Sequence, residues 1–295
     1  MDNENEINDV LADGLPRILP PYEDGIFKTL LTMPESNAIL VGSVSAFMER
    51  KLMSATLRNN DIPSRDITAK REKFDVNCVV DSEDGDQCDV EMQASPLEGD
   101  SLIDGHTNIK WRSVFNLCDL HSNQAGIGRR YSKFVRSYQI MLYNFKVFTN
   151  KNKPIERFTF RNDQGMELCD AVTAIFIDLT QAKEIAKKNV IEMSDIESWI
   201  VFFALANKPQ YKKTIEEIAK QREVISLARD ALLNISQSPS ERARFRSRRM
   251  WQQDREHERA VFLEEGAKKA REEYEIILAN KDAEIAKLRA MLYGQ

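Results

Sequence analysis

The chain has 295 residues, of which 30% are charged and 42% hydrophobic, and its formal net charge is −5. This composition is that of a folded protein with one well-filled core plus an appendage, or with two domains, and it excludes a wholly disordered chain. Only three histidines and four scattered cysteines are present, which argues against zinc clusters, disulfide frameworks and chemistry built on several imidazoles. Carboxylates are therefore the expected reactive groups.

The N-terminus is acidic and polar, and the chain lacks an apolar run of the length that a membrane helix requires. We therefore expect a cytoplasmic protein without a secretory leader or a membrane span. Residues 1–206 contain 23 basic and 32 acidic residues, a net charge of −9, whereas residues 207–295 contain 19 and 15, a net charge of +4. This change of sign predicts two functional parts.

Three regions follow from these patterns. Residues 1–20 are expected to form a flexible acidic segment that ends at two prolines. Residues 21–206 are expected to form the folded domain, and residues 207–295 a charged helical region. In the folded domain, Asp24 is placed to cap a short helix that Pro34 ends. Apolar residues at three- and four-residue intervals then predict a helix over residues 36–58.

A β-hairpin is predicted next, because residues 74–80 and 87–93 alternate between polar and apolar side chains on either side of a turn. One face of this hairpin is apolar. The other carries the polar residues Asp75, Asn77, Asp89, Glu91 and Gln93. A face of this composition is typical of either a carboxylate site or a solvent-exposed surface, and alternation alone does not distinguish the two.

The turn length decides whether Asp75 and Glu91 share a face. A two-residue loop would send them to opposite faces, whereas an odd number of loop residues, or a bulge, brings them together. A three-residue loop over residues 83–85 would place Asp75 opposite Gln93 and would give Gly85 a left-handed conformation. Two such carboxylates would offer the oxygen ligands that Mg²⁺ prefers.

The remaining elements alternate between helices and strands. We predict a helix over residues 107–124, a glycine-containing turn over residues 125–128, strands within residues 134–148 and 171–179, and a helix beginning at Ser194. From Lys208 onward the pattern is helical, without a strand signal.

Two features stand out in the helical region. A seam of mostly apolar residues repeats at four and three positions, which predicts either self-association through residues 267–292 or a single helix folded back on the body. Its members are Tyr274, Leu278, Lys281, Ile285, Leu288 and Leu292. A basic run places Arg242, Arg246 and Arg249 on one side of a helix, where they would contact DNA phosphates or pair with nearby acidic residues.

At the level of motifs, the chain resembles the PD-(D/E)XK nuclease superfamily, and within it the recombination-promoting nucleases that are also described as transposases. The resemblance covers about residues 20–206 and depends on the order and spacing of several short motifs. They are Asp24-Gly-Ile-Phe27-Lys28, Asp75, Glu91-Met92-Gln93, Arg112, Gly128 followed by Tyr131, the stretch Ala174–Leu179, and Trp199.

This resemblance implies an α/β fold of the restriction-endonuclease type, a mixed sheet flanked by helices, followed here by a helical or coiled-coil extension. It implies Asp75 and Glu91 as ligands of Mg²⁺, or of Mn²⁺ as a substitute, with the Met92 carbonyl as a third ligand. Gln93 stands where the superfamily has a lysine that orients or activates water. An amide orients water, but it does not stabilise charge as an ammonium group does.

Other site residues are carried over with alternatives. Asp24 would be a further catalytic carboxylate at the edge of the site, or only a helix cap. Lys28 would contact phosphate or remain a surface residue, and Arg112 would pair either with phosphate or with a carboxylate of the fold.

Two functions are therefore expected as alternatives. The first is a metal-dependent DNA endonuclease linked to recombination or mobile elements. The second is a weak or inactive relative that binds DNA and assembles through its coiled coil. The nuclease hypothesis requires that Asp75 and Glu91 converge, and it would be contradicted by a closed structural ion pair that leaves no room for a metal ion.

Overall fold

The computed structural model describes residues 10–58, 76–81, 85–96, 107–125, 130–148 and 153–294. Among these residues, six strands form one sheet in the order β1-β2-β3-β4-β6-β5. The strands are β1 (Ala55–Leu57), β2 (Val76–Val80), β3 (Asp86–Gln93), β4 (Ser137–Tyr143), β5 (Ile155–Phe158) and β6 (Val172–Asp178). The helices are α1 (Asp24–Thr32), α2 (Asn37–Met48), α3 (Thr107–Ser122), α4 (Ala182–Ile185), α5 (Asp195–Leu205), α6 (Lys212–Gln221), α7 (Glu223–Gln237) and α8 (Pro239–Tyr293).

The sheet is mixed. Strands β1, β2 and β3 are antiparallel, β3, β4 and β6 are parallel, and β5 returns antiparallel to β6. Parallel neighbours need a crossover connection, and α3 provides it between β3 and β4. This crossover covers one face of the central strands, while α1 and α2 cover the other. The arrangement confirms the mixed α/β fold flanked by helices.

The face toward α1 and α2 is apolar at its centre. Val90 and Met92 of β3 and Ile140 and Leu142 of β4 are buried there. Phe27 of α1 meets Phe203 of α5 with ring centroids 5.3 Å apart. Burying this many large side chains is the main driving force for folding of the domain.

The face toward α3 is apolar only at one end. Ile109 and Leu117 of α3 pack there against Met141 and Tyr143 of β4 and Phe176 of β6. Toward β2 and β3 the buried side chains become polar. This polar region is the part of the fold that bears on function.

Several predicted elements differ from the structure. The helix expected over residues 36–58 ends at Met48, where Glu49 adopts a left-handed conformation with φ of 49° and the chain turns toward β1. Leu52 and Ala55 were expected on the helix. Both are buried, but Leu52 lies in the connection that follows α2, and Ala55 lies in β1. Strands β1 and β5 were not predicted, because both are short and only partly buried, so neither has a clear alternating pattern.

Other boundaries are confirmed. Helix α1 ends just before Pro34, and the predicted hairpin is formed by β2 and β3. Helix α5 begins after Ser194, whose side chain accepts a hydrogen bond from the Glu197 amide, while the Glu197 carboxylate accepts one from the Ser194 amide. This reciprocal capping stabilises the start of the helix.

The described part of the N-terminal segment packs against the folded domain. Leu15 and Leu19 are buried. Asp13 accepts two hydrogen bonds of 2.6 Å from Arg242, and Ser236 accepts one from the Leu19 amide. A buried charge needs such a partner, so this pair ties the segment to the start of α8.

The chain divides into two compact units, Met1–Arg242 and Ala243–Gln295. In the second unit, the helix α8 presents the predicted seam as exposed side chains, among them Tyr274, Leu278 and Ile285. Within the described residues, no helix combines the length and apolarity needed to cross a bilayer.

Candidate functional site

Strand β3 brings three polar side chains, Asp89, Glu91 and Gln93, to the face that α3 covers. Asp89 is fully buried and Glu91 is only 1% exposed. The alternation along the hairpin therefore does not mark a solvent-exposed surface, one of the two interpretations left open by the sequence. Carboxylates are rarely buried without a specific partner, so this face has an unusual content for a sheet interior.

Glu91 is held by two residues of α3. The Asn116 amide donates to Glu91 Oε1 at 2.5 Å, and Arg112 Nη2 lies 3.0 Å from Glu91 Oε2. Positions 112 and 116 are four residues apart and therefore lie on the same helix face. Of the two alternatives for Arg112, the structure shows pairing with a carboxylate of the fold.

The same arginine also reaches Gln93. Arg112 Nη1 donates to Gln93 Oε1 at 3.2 Å, and the Gln93 amide donates to the Ser95 carbonyl at 2.9 Å. One guanidinium thus contacts both Glu91 and Gln93. The ion pair is not closed to solvent, because the Arg112 side chain is 33% exposed, against 1% for Glu91.

The register of β2 on β3 agrees with the parity that a carboxylate pair requires. Val80 pairs with Asp86 and Val76 with Val90, so the connection over residues 81–85 has five residues, an odd number. The three-residue loop was wrong, but the odd count was right. Asp75 itself lies outside the described residues, as does Gly128.

Several buried polar residues around Glu91 were not predicted as part of the site. In addition to Asp89 and Asn116 they are Asn77, Ser113 and Gln139. Asn77 pairs with Asp89 across the hairpin, and Gln139 pairs with Asp89 across the parallel ladder. Within the part of the chain that the structure describes, the Gln139 carboxamide has no hydrogen-bond partner. A signal was available, since a glutamine directly precedes the apolar run Ile140–Leu142 in β4.

Asp24 and Lys28 lie on α1, which packs against β2 and β3. Asp24 is exposed and is the first residue of the helix, while Glu23 occupies the cap position without a side-chain cap bond. The predicted capping by Asp24 is therefore wrong, although its carboxylate lies near the positive end of the helix dipole. Lys28 is half-buried, and its carbonyl accepts a bond from the Thr32 hydroxyl.

The three arginines of the basic run are not equivalent. Arg242 is 8% exposed and is occupied by Asp13 and by the carbonyls of Pro16 and Ser236. It therefore has a structural role in place of the predicted contact with DNA. Arg246 and Arg249 are exposed on α8.

A polar network lies further along α3. His121 Nδ1 is 3.0 Å from the Ser137 hydroxyl, and the Gln124 amide donates to the Val135 carbonyl while its oxygen accepts from the Val135 amide. Burial lowers the pKa of His121, which favours the neutral ring.

The donor set around Glu91 suits a hard divalent cation. Such ions take oxygen ligands and are commonly held by one or two carboxylates together with water and substrate phosphate. Glu91 and the amide oxygen of Gln93 have this chemistry, and the uncompensated Gln139 amide shows that this region is polar beyond the needs of packing. Within the described ranges, no group of three or more His, Cys, Asp and Glu side chains converges, so a full ligand set requires a further residue or the substrate.

Comparison with known proteins identifies a family for this chain. A family model described as "PD-(D/E)XK nuclease family transposase" matches residues 21–260. No curated protein and no solved structure matches the chain.

Proposed function

The chain belongs to the PD-(D/E)XK nuclease family transposases, and from that premise we propose that it is a metal-dependent endonuclease that hydrolyses DNA phosphodiester bonds. The observation that carries the proposal is the nearly fully buried carboxylate of Glu91, placed by the central strand β3 beside Gln93. Burying a carboxylate costs free energy, and coordination of a hard metal ion by that carboxylate would compensate for the cost.

In this proposal Asp75 is the second carboxylate. If the pairing of β2 with β3 extended by one residue, position 75 would lie opposite Glu91, because the pairs Val76–Val90 and Asn77–Asp89 set that register. Asp75, Glu91 and the Met92 carbonyl would then hold Mg²⁺, with Mn²⁺ as a substitute. When bound, such an ion supplies neutralisation of phosphate charge and a nucleophile near neutral pH.

The chain's own residues have separate tasks. Gln93 would orient the attacking water through its carboxamide, which at present is shared between Arg112 and the Ser95 carbonyl. Asn116 holds Glu91 in its rotamer by a bond to one oxygen, leaving the other oxygen on the Arg112 side. Asp24 would be a carboxylate at the edge, and Lys28 would contact phosphate.

DNA is proposed as the substrate, in a setting of recombination or mobile elements. Arg246 and Arg249 would add contacts to the phosphate backbone, and these contacts would make binding steeply dependent on salt. Residues 267–292 would join two copies through their exposed apolar seam, which an isolated helix leaves in contact with water.

A plasmid-cleavage assay with Mg²⁺ tests the proposal. We expect the parent to cut and Glu91→Ala and Asp75→Ala to lose at least about 100-fold in rate, because the metal ligands would be gone. Asp163→Ala removes an exposed carboxylate far along the chain and serves as the matched control, with unchanged cutting expected. A chelator should abolish the activity of the parent. Equal cutting by all variants, or none by the parent, would contradict the nuclease proposal.

A second function is also tested, because Gln93 replaces the superfamily lysine and Arg112 forms an ion pair with Glu91. In this alternative the protein binds DNA and assembles without cutting it. Binding would then survive Asp75→Ala and Glu91→Ala but weaken in an Arg246→Ala, Arg249→Ala double variant. Gel-shift titrations at two salt concentrations distinguish this outcome from cleavage.

A further inference from the structure

The Arg112 guanidinium lies beside the Glu91 oxygen that a bound metal ion would contact. It lies 3.0 Å from Glu91 Oε2 and donates to Gln93 Oε1 at 3.2 Å. These are the residues to which the proposed function gives metal binding and water orientation. The other oxygen of Glu91 is taken by Asn116. One side chain therefore engages both groups on which the proposed chemistry depends.

The burial of Glu91 explains why such a partner is present. At 1% exposure, the carboxylate has lost its hydration and requires a positive charge or strong hydrogen bonds in return. Arg112 supplies the positive charge at Oε2, and Asn116 supplies the hydrogen bond at Oε1. A divalent ion at the same oxygen would repel the guanidinium, so the two cations are alternatives for one carboxylate.

The Arg112 side chain is also partly exposed to solvent. It is 33% exposed, and its neighbours on the outer side of α3, Trp111 and Phe115, are 69% and 55% exposed. The Arg112 side chain therefore reaches from the buried carboxylate to the surface of α3. The fork of a guanidinium fits a phosphate as well as it fits a carboxylate, so a DNA phosphate at the mouth of the site is a suitable new partner.

We propose that Arg112 is a gate for metal loading: it compensates Glu91 in the metal-free protein and leaves Glu91 and Gln93 when a divalent ion enters and a substrate phosphate receives the guanidinium. This inference rests on the proposed function and adds a mode of regulation to it. Because the arginine must leave for the ion to bind, metal and substrate binding favour each other.

Calorimetric titration with Mn²⁺ alone tests the competition without relying on activity. We expect Arg112→Gln to bind Mn²⁺ about tenfold or more tightly than the parent, since a charge-assisted bond no longer has to be broken. Arg112→Lys keeps the positive charge without the fork and should fall between the two. Arg161→Gln removes an arginine from an exposed ion pair with Glu167 and serves as the control, with parental affinity expected.

Thermal unfolding separates a gate from a purely structural pair. Without metal, Arg112→Gln should unfold at a lower temperature than the parent, and saturating Mn²⁺ should raise its Tm by more than it raises that of the parent. Arg112→Gln that binds Mn²⁺ no more tightly than the parent would overturn the gate while leaving the metal site intact. Failure of every variant to bind Mn²⁺, with Glu91→Ala no different, would instead overturn the proposed function.

A third experiment repeats the Mn²⁺ titration in the presence of DNA. It uses a phosphorothioate DNA duplex, because such a duplex resists cleavage. In the parent, the duplex should tighten Mn²⁺ binding more than it does in Arg112→Gln, because only the parent has a guanidinium to draw away from Glu91. Equal tightening in both proteins would overturn the exchange of Arg112 onto phosphate.

Discussion

The two faces of the central sheet differ although the same strands build both. Toward α1 and α2, neighbouring strands present Val90, Met92, Ile140 and Leu142, all buried and apolar. Toward α3, the residues one position away include Asp89, Glu91 and Gln139, which are equally buried but polar. The first face stabilises the fold through the burial of apolar side chains. The second face stabilises it less, because burying its polar groups costs desolvation free energy.

In such a sheet, the face with buried polar groups is where a functional site is to be sought. A buried polar group that hydrogen bonds do not fully satisfy destabilises the fold unless something else uses it. On the α3 side, Glu91 has two partners from α3, whereas the Gln139 carboxamide has none within the described residues. Residues 139 and 140, adjacent in β4, therefore allow a direct comparison of the faces.

The largest effect is expected on the apolar face. Ile140→Ala removes a fully buried side chain and leaves a cavity, which should lower the free energy of unfolding by about 2–5 kcal/mol. Chemical denaturation followed by circular dichroism measures this change. A loss below about 1 kcal/mol would mean that the apolar face contributes less to stability than its burial implies.

A change of opposite sign is expected one residue earlier. Gln139→Leu replaces a buried carboxamide without hydrogen-bond partners in the described structure by an apolar side chain of similar size, so the free energy of unfolding should rise by about 1–3 kcal/mol. The same denaturation experiment measures it. If Gln139→Leu also slows plasmid cleavage, the polar face is retained for activity at the expense of stability. A destabilised variant would show that Gln139 has a structural partner instead.

The smallest effect concerns the pH dependence of the polar face. Burial lowers the pKa of His121 below its unfolded value of about 6.5, so the unfolded chain binds a proton more readily than the folded one. The contribution of His121 to stability is therefore intact above pH 6.5 and declines as the pH falls through its folded pKa. His121→Gln should flatten the dependence of Tm on pH between pH 5 and 7 relative to the parent. An unchanged profile would assign that dependence to other groups.

The elements that carry strong periodicity were predictable. The hairpin of β2 and β3, the crossover helix α3 and the buried strand β6 follow from alternation or from helical spacing in the sequence. The end of α2 was not predictable, because Glu49 adopts a left-handed conformation without the glycine that would signal it. Of the site residues, Glu91, Gln93 and Arg112 were found together, whereas Asn116 was missed because a helix asparagine has no distinctive local signal.

The alternation of residue types along β3 and the spacing of the motifs can be read from the amino-acid order alone, because side-chain direction in a strand follows from its two-residue period. The covering of the polar face by α3 and the pairing of Arg112 with Glu91 could not be read from it. Those contacts join residues about twenty positions apart, and they depend on how the crossover helix lies on the sheet.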